Sequence, residues 1–419
     1  MNNDPHNFSR PKRKYFDKGQ KAKSFTVAFE LSKMFLLKRF WIMFYIANVV
    51  GIFPCKRKTI EGQDYLRPKN KILQFAKYLV FVTGFFVAPS IVMKLIYKIT
   101  MSDLMSIGAN TQTNQIVIIS YWTVFALTHI SSVFSLYKIN HDLCQLQDFI
   151  ADNIPKLPSE QFPYTLGAIL WVPAGFLTAL FFPIGFAQSL ADSHNLNNLD
   201  FFIVYTMLYL MIFVLVLPNA ILIFILIEIC KLVHRWVQNL REFHDEVGVP
   251  HQFQFLGRIE TFCGQWKNIK TFLSFPIFQL FSLSIIMAII VSYRSFDFLI
   301  TSDFSSANLT IQALGFFILS TVTTYSFIFV NLYSQKIGDQ VRDLKENIQD
   351  QCILSLDLEK SEELIVMKNL ILCHLTRWEN FDGYGFFVLG KPFLTGILAN
   401  FITYIIVLIQ FQLTLQDPE

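Results

Sequence analysis

The chain has 419 residues, 53% of them hydrophobic and only 16% charged, with 45 Phe, a mean hydropathy of +0.43 and a formal net charge of +4. Soluble globular chains carry about 25% charged residues. A deficit of this size excludes a disordered chain, a coiled coil and a small disulfide scaffold, and points to a multi-span membrane protein.

In chain order, residues 1–39 are polar and basic. They hold no apolar h-region and no small-residue cleavage site, so a signal peptide is not expected and the segment reads as a cytosolic tail. Residues 40–54 are apolar but too short to cross a bilayer core of about 30 Å. They end at Gly51-Ile52-Phe53-Pro54, just before Lys56-Arg57-Lys58, and read as a short interfacial or re-entrant helix. Seven later segments are long enough to span: Ile72–Tyr97, Ile116–Leu136, Tyr164–Ala187, Phe201–Leu226, Phe272–Tyr293, Leu309–Tyr333 and Pro392–Leu413. The fold class is therefore an all-α membrane protein of seven spans.

Lys and Arg in the loops set the orientation. Residues 1–71 hold sixteen, and the loops after the second, fourth and sixth spans bring that side to 31, against only Lys98 and Arg294 on the other. The N-terminus is expected in the cytosol and the C-terminus, residues 414–419, outside. Cys55, Cys144, Cys230, Cys263, Cys352 and Cys373 then all fall on the reducing side or its membrane edge. The sequon Asn308-Leu309-Thr310 falls outside, which makes Asn308 the candidate glycosylation site. G-protein-coupled receptors have the opposite topology, and the chain lacks both Asp-Arg-Tyr and a final Asn-Pro-x-x-Tyr.

Most soluble mass lies in the cytosolic loops. Ile229, Leu232, Val233, Trp236, Leu240 and Phe243 follow helical spacing, so the fourth span continues inward as a helix. Val341, Leu344 and Ile348 extend the sixth, and Leu364, Met367, Ile371, His374 and Leu375 mark a further helix within residues 334–391. These stripes either pack within the subunit or anchor one subunit to another. Gly383, Gly385, Gly390 and Pro392 break the chain before the last span, which divides into a cytosolic half and a membrane half, 392–413.

No enzymatic signature is present, and neither a metal nor an organic cofactor is implied. Gly390-Lys391 runs into Pro392 rather than a Ser or Thr, and no His-Glu-x-x-His or Cys-x-x-Cys occurs. His129 within the second span reads as an interhelical packing residue, as do His374 and Trp378 on a cytosolic helix. The span centres hold no Asp or Glu, which disfavours an ion-coupled transporter. On the last span, Asn400, Thr403, Tyr404, Val407, Gln410, Phe411 and Thr414 share an arc of about 120°. Polar groups in hydrocarbon need partners or water. The stripe is therefore either interhelical glue or the lining of an aqueous pathway, and uncharged carboxamides would discriminate little between ions.

Thr403-Tyr404, five apolar residues, then Gln410-Phe411 resembles the signature of insect gustatory receptors, as does the Gly51-Ile52-Phe53-Pro54 turn. The resemblance extends over essentially the whole chain. It implies a tastant-gated, non-selective cation channel of four like or unlike subunits in the plasma membrane of gustatory neurons, passing monovalent cations and, as a further candidate, calcium. The membrane half of the last helix would line the pore, with Gln410 and Phe411 at its outer gate and the cytosolic helices as anchor. A ligand pocket would open outward among spans two to six within residues 72–333. Candidate ligand contacts are Tyr121, Trp122, Phe181, Phe182, Tyr205, Tyr209, Tyr293 and Gln312, aromatic walls with polar tips that suit either sugars or aromatic alkaloids. Sugar receptors often carry Glu after the Thr-Tyr pair, where this chain has Ile405; the tastant class stays open. A membrane carrier and a metabotropic receptor without a pore are the alternatives.

Overall fold

The structure is a computed structural model and describes residues 41–53, 55–60, 63–100, 112–153, 187, 190–191, 194–246, 252–301, 328, 330–350, 362–376, 378 and 380–416. Its elements are α1 (Trp41–Val50), β1 (Cys55–Ile60), β2 (Gln63–Pro68), α2 (Lys71–Ile96), α3 (Gln112–Asn153), α4 (Asn198–Glu246), α5 (Gln252–Thr301), α6 (330–350), α7 (Glu362–Thr376) and α8 (Lys391–Gln416). The first, fourth and fifth predicted spans fall on α2, α4 and α5, which are long and apolar enough to cross a membrane. The second and seventh fall on α3 and α8. The third apart from Ala187, and the sixth apart from its last residues, lie outside the described residues, as do residues 1–39, Asn308, Asp417 and Glu419.

Among the described residues the chain is nearly all helical, and a two-stranded sheet departs from the all-α expectation. β1 and β2 pair antiparallel, opposing Lys56 to Arg67, Lys58 to Tyr65 and Ile60 to Gln63. Only Glu61 and Gly62 lie between them, and a glycine in a two-residue connection is the sequence mark of a tight hairpin. The basic character of these positions conceals that strand signal.

Side-chain chemistry fixes where the helices begin. Asn70 Oδ1 accepts from the amides of Ile72 (3.0 Å) and Leu73 (3.4 Å), and Asn197 Oδ1 from those of Leu199 (3.0 Å) and Asp200 (2.9 Å). Each side chain satisfies donors that have no intrahelical acceptor. On α2 the usual polarity is inverted. Gln74 and Tyr78 are buried, while Ile72 is 82% exposed and Val80 and Leu95 are each 74% exposed. A face this apolar and this open belongs in lipid.

α5 is the hub, packing along α3, α4, α7 and α8, while β2 runs against α3. A large core at one end of the bundle joins Ile52 and Phe53 after α1 to Leu136 and Ile139 of α3, Phe262 and Trp266 of α5, and Ile337 and Leu344 of α6. Ile229 to Leu240 of the α4 stripe are buried in this same core, and half-buried Phe243 packs against it. Within the single chain this apolar face meets the subunit's own α5, through Trp236 on Phe262 and Phe243 on Phe255, and α6, through His234 on Tyr333.

Gly51 ends α1 at φ +85°, and a Cβ there would lie 2.5 Å from the Gln74 carbonyl oxygen and 2.7 Å from the Tyr78 nitrogen. Both obstacles are backbone, so α1 and α2 must separate to admit it. Gly51→Ala is expected to destabilise the fold by about 3 kcal/mol. Thermal unfolding of the detergent-solubilised protein, followed by tryptophan fluorescence, measures this; an unchanged midpoint would refute the close approach.

Candidate functional site

Three arrangements stand out: an aromatic cluster at one end of the bundle, a polar core between the spans, and the junction from which α8 departs.

The aromatic cluster gathers Met93 of α2, Val124 and Phe125 of α3, Val204, Leu208 and Met211 of α4, and Met287 of α5. Trp122 and Tyr205 pack against it, half-buried. Tyr205 stacks on Phe201 at 6.4 Å between centroids and lies equally far from Tyr209. Three of the predicted ligand contacts, Trp122, Tyr205 and Tyr209, are thus drawn to one place. The side chains of Tyr121 and Tyr293, and all of Phe181, Phe182 and Gln312, lie outside what the structure describes.

Between the spans, Ser135 Oγ donates to Gln279 Oε1 (2.5 Å), Gln279 Nε2 donates to Ser132 Oγ (3.0 Å), and Ser132 Oγ donates to Asn219 Oδ1 (3.3 Å). This chain ties α3 to α4 and α5, with Ser132, Ser135 and Gln279 buried and half-buried Asn219 at its end. His129 behaves as expected of a packing residue. Its Nδ1–H donates to the Leu215 carbonyl (3.1 Å), which leaves Nε2 to accept the Tyr78 hydroxyl (2.6 Å).

α8 leaves the large core through a tight turn. Gly383 and Leu389 amides donate to the Phe387 and Phe381 carbonyls, and Tyr384 and Gly385 both have positive φ. The turn is pinned from three helices. From α5, Lys270 Nζ meets Asp382 Oδ2 at 2.7 Å and Ser274 Oγ donates to Asp382 Oδ1 at 3.3 Å. From α3, Lys138 Nζ donates to the Tyr384 hydroxyl at 3.0 Å. From α6, Asn331 Oδ1 accepts from the Gly390 amide (3.1 Å) and Gln335 Oε1 from the Lys391 amide (3.2 Å). A neighbouring helix therefore supplies the acceptors that an N-cap residue would otherwise provide. A Cβ on Gly390 would come within 2.7 Å of Gln335 Oε1 and crowd that cap.

Trp378 stacks on Trp266 at 4.0 Å and on Phe262 at 5.5 Å. It packs as expected but not on a helix, because α7 ends at Thr376. His374 stays on α7 and faces Glu260 at 3.5 Å.

Beyond its first turns, the described side chains of α8 are mostly exposed. Phe393 rests on Phe387 and Phe281, whereas Asn400, Ile402, Thr403, Tyr404, Ile406, Val407 and Gln410 are exposed. Thr403 bonds back to the Ala399 carbonyl at 2.9 Å. Phe411 and Thr414 lie on the same helix, but their side chains are outside the description. Apolar and polar faces of α8 are thus open together.

Burial holds back two thiols at the large core. Burial pushes Cys230 up to about 12 and Cys263 up to about 11, since a thiolate is disfavoured away from water. At pH 8, N-ethylmaleimide is expected to spare both in the folded protein and to modify both after unfolding, as mapped by peptide mass spectrometry. Labelling of Cys263 should rise with pH, because only the thiolate attacks. Rapid native labelling of Cys230 would contradict its burial.

The sequence could not locate the turn contacts or the polar core. Ser, Asn and Gln scattered singly along apolar spans carry no periodic signal. Their partners lie on other helices or in the turn, between 56 and 147 residues away.

Long lipid-facing helices around a two-part core, with one helix set apart, define a multi-span helical membrane protein. The profile described as 7tm chemosensory receptor matches residues 41–415, and the chain belongs to that family. Its fold resembles the olfactory receptor OR5 of the insect Machilis hrabei in complex with eugenol. The TM-score is 0.62 at 12% identity, over 93% of this chain and 100% of that one. Another structure of the same receptor gives 0.57 at 13% identity, over 92% and 99%. No curated protein matches the sequence.

Proposed function

We propose that this protein is a gustatory receptor that acts as a tastant-gated, non-selective cation channel. Four subunits place α8 around a central pore, with Asn400, Thr403, Val407, Gln410, Phe411 and Thr414 along its wall. The N-terminus lies in the cytosol and the C-terminus outside, at the plasma membrane of gustatory neurons.

One observation carries this reading: on a helix of membrane-spanning length, the described α8 side chains from Asn400 to Val407, polar Asn400 and Thr403 among them, are exposed. In hydrocarbon such groups require water or partners, and a ring of copies supplies both. The ligand site is the aromatic cluster with Trp122, Tyr205 and Tyr209, at the end of the bundle opposite the α8 junction. Membership of a chemosensory family supports a small-molecule ligand, and the Machilis receptor in complex with eugenol is an instance of one.

Calcium imaging of transfected cells against sugars, bitter compounds and carbon dioxide identifies the agonist. The purified protein in planar bilayers should then give unitary current steps with that agonist alone. Saturable substrate uptake without current steps would instead identify a carrier. A C-terminal epitope should stain on intact cells; staining only after permeabilisation would reverse the orientation.

A further inference from the structure

The strongest unabsorbed feature is the hairpin between α1 and α2. Residues 55–71 hold six basic residues, Lys56, Arg57, Lys58, Arg67, Lys69 and Lys71, against two acidic ones, Glu61 and Asp64. A count of positive charge is enough to orient a membrane protein. It does not call for what the register shows: Lys56 directly opposite Arg67, with Lys58 two positions along the same face. Like charges directly opposed across an antiparallel pair repel and weaken it. An anion between them removes that penalty, and an arginine fork matches a phosphate group.

The surrounding structure sets the depth of this face. The hairpin is tethered at its base, where Lys69 Nζ bonds to Asn48 Oδ1 and the Tyr137 hydroxyl donates to the Gly51 carbonyl at 2.6 Å. Lys71 is exposed, and the lipid-facing surface of α2 begins with the very next residue, Ile72, 82% exposed. Hydrocarbon therefore starts just past Lys71, and the hairpin stands at the level of the headgroups. Exposed Lys77, about 9 Å further along the axis, is long enough to reach back to that level.

We infer that the hairpin Cys55–Pro68, with Lys71 beside it, binds anionic phospholipid headgroups of the adjoining leaflet, their phosphate held by Lys56, Lys58 and Arg67. The inference rests on the membrane fold and not on the proposed channel activity.

The test uses the full-length protein purified in a neutral detergent and titrated with short-chain phosphatidylserine, with thermal stabilisation followed by tryptophan fluorescence. Short-chain phosphatidylcholine and inorganic phosphate are the parallel arms. Stabilisation is expected with phosphatidylserine only, and to fade as salt is raised. Each basic group near an anionic leaflet changes affinity about fivefold, so Lys56→Gln/Lys58→Gln/Arg67→Gln should weaken binding about a hundredfold. The single variant Lys58→Gln, which keeps the opposed pair, should weaken it about fivefold and serves if the triple variant does not fold. A charge-matched control, Lys267→Gln/Lys336→Gln/Lys345→Gln, should bind as wild type does. Equal stabilisation by phosphatidylcholine, equal binding by the hairpin variants, or an equal response to inorganic phosphate would each overturn the assignment. Equal loss in the control would do the same.

Discussion

Phe411→Ala is expected to raise ligand-free current about tenfold, which corresponds to a bias of about 1.4 kcal/mol toward the open state. The expectation follows from placing α8 at a shared axis. Apolar rings around a narrow axis close it by dewetting, and removing them allows water to persist. Gln410→Ala acts differently. Gln410 is exposed near the end of α8, and its carboxamide can replace part of the hydration of a passing cation. Its loss should change unitary conductance or relative permeability while leaving agonist affinity near wild type. The agonist opens the channel only through tighter binding to the open state, and the aromatic cluster proposed to bind it lies elsewhere. Single-channel recording separates the two effects. Wild-type leak, conductance and reversal potential in both variants would make the polar stripe interhelical glue and remove α8 from the pore.

The second large effect lies at the base of α8. Lys270 and Asp382 pair at 2.7 Å with side chains 18% and 15% exposed, and Asp382 also accepts from Ser274 and, at 3.4 Å, from the Gly385 amide. Removing one member of such a pair strands the other charge where solvent compensates it poorly. Asp382→Ala is expected to destabilise the protein by about 3 kcal/mol. Lys270→Met/Asp382→Leu should recover most of that loss, since neither variant residue leaves a buried charge. Thermal unfolding of both variants in detergent measures the difference. The same turn sets the direction in which α8 leaves the core, so the single variant should also lose agonist-evoked current at equal surface expression. A double variant no more stable than Asp382→Ala would show that the pair acts through the turn's geometry and not through charge.

The first of these effects was legible in the amino-acid order and the second was not, and the difference is physical. A membrane helix is a local object: 20 apolar residues, a polar arc at helical spacing and a Gly-Pro break can be recognised without knowing what lies alongside. The divided last helix, the continuation of the fourth span past Leu226, the helical character of 41–50 and the polar arc on α8 were all open to that kind of reading. The family resemblance was also local, carried by Thr403-Tyr404 and Gln410-Phe411. The hairpin escaped because it is short and its strand positions are filled by Lys and Arg.

Which neighbour covers which face is a long-range question that periodicity cannot answer. The stripe from Ile229 to Phe243 reads the same whether it meets its own α5 and α6 or a second subunit; only the packed structure shows it meeting the former within the single chain. Nothing near Asp382 in sequence calls for Lys270, and nothing near Gly390 calls for Asn331, because the chain between them must first fold for those atoms to meet. The aromatic candidates divide in the same way. Composition nominates all of them, but only the convergence of α2, α3, α4 and α5 brings Trp122 and Tyr205 into one cluster with Met93 and Met287. Local spacing determines which segments are helices and which face of each is polar. The partners of those faces are decided by tertiary packing, where side chains far apart in sequence compete for the same buried space.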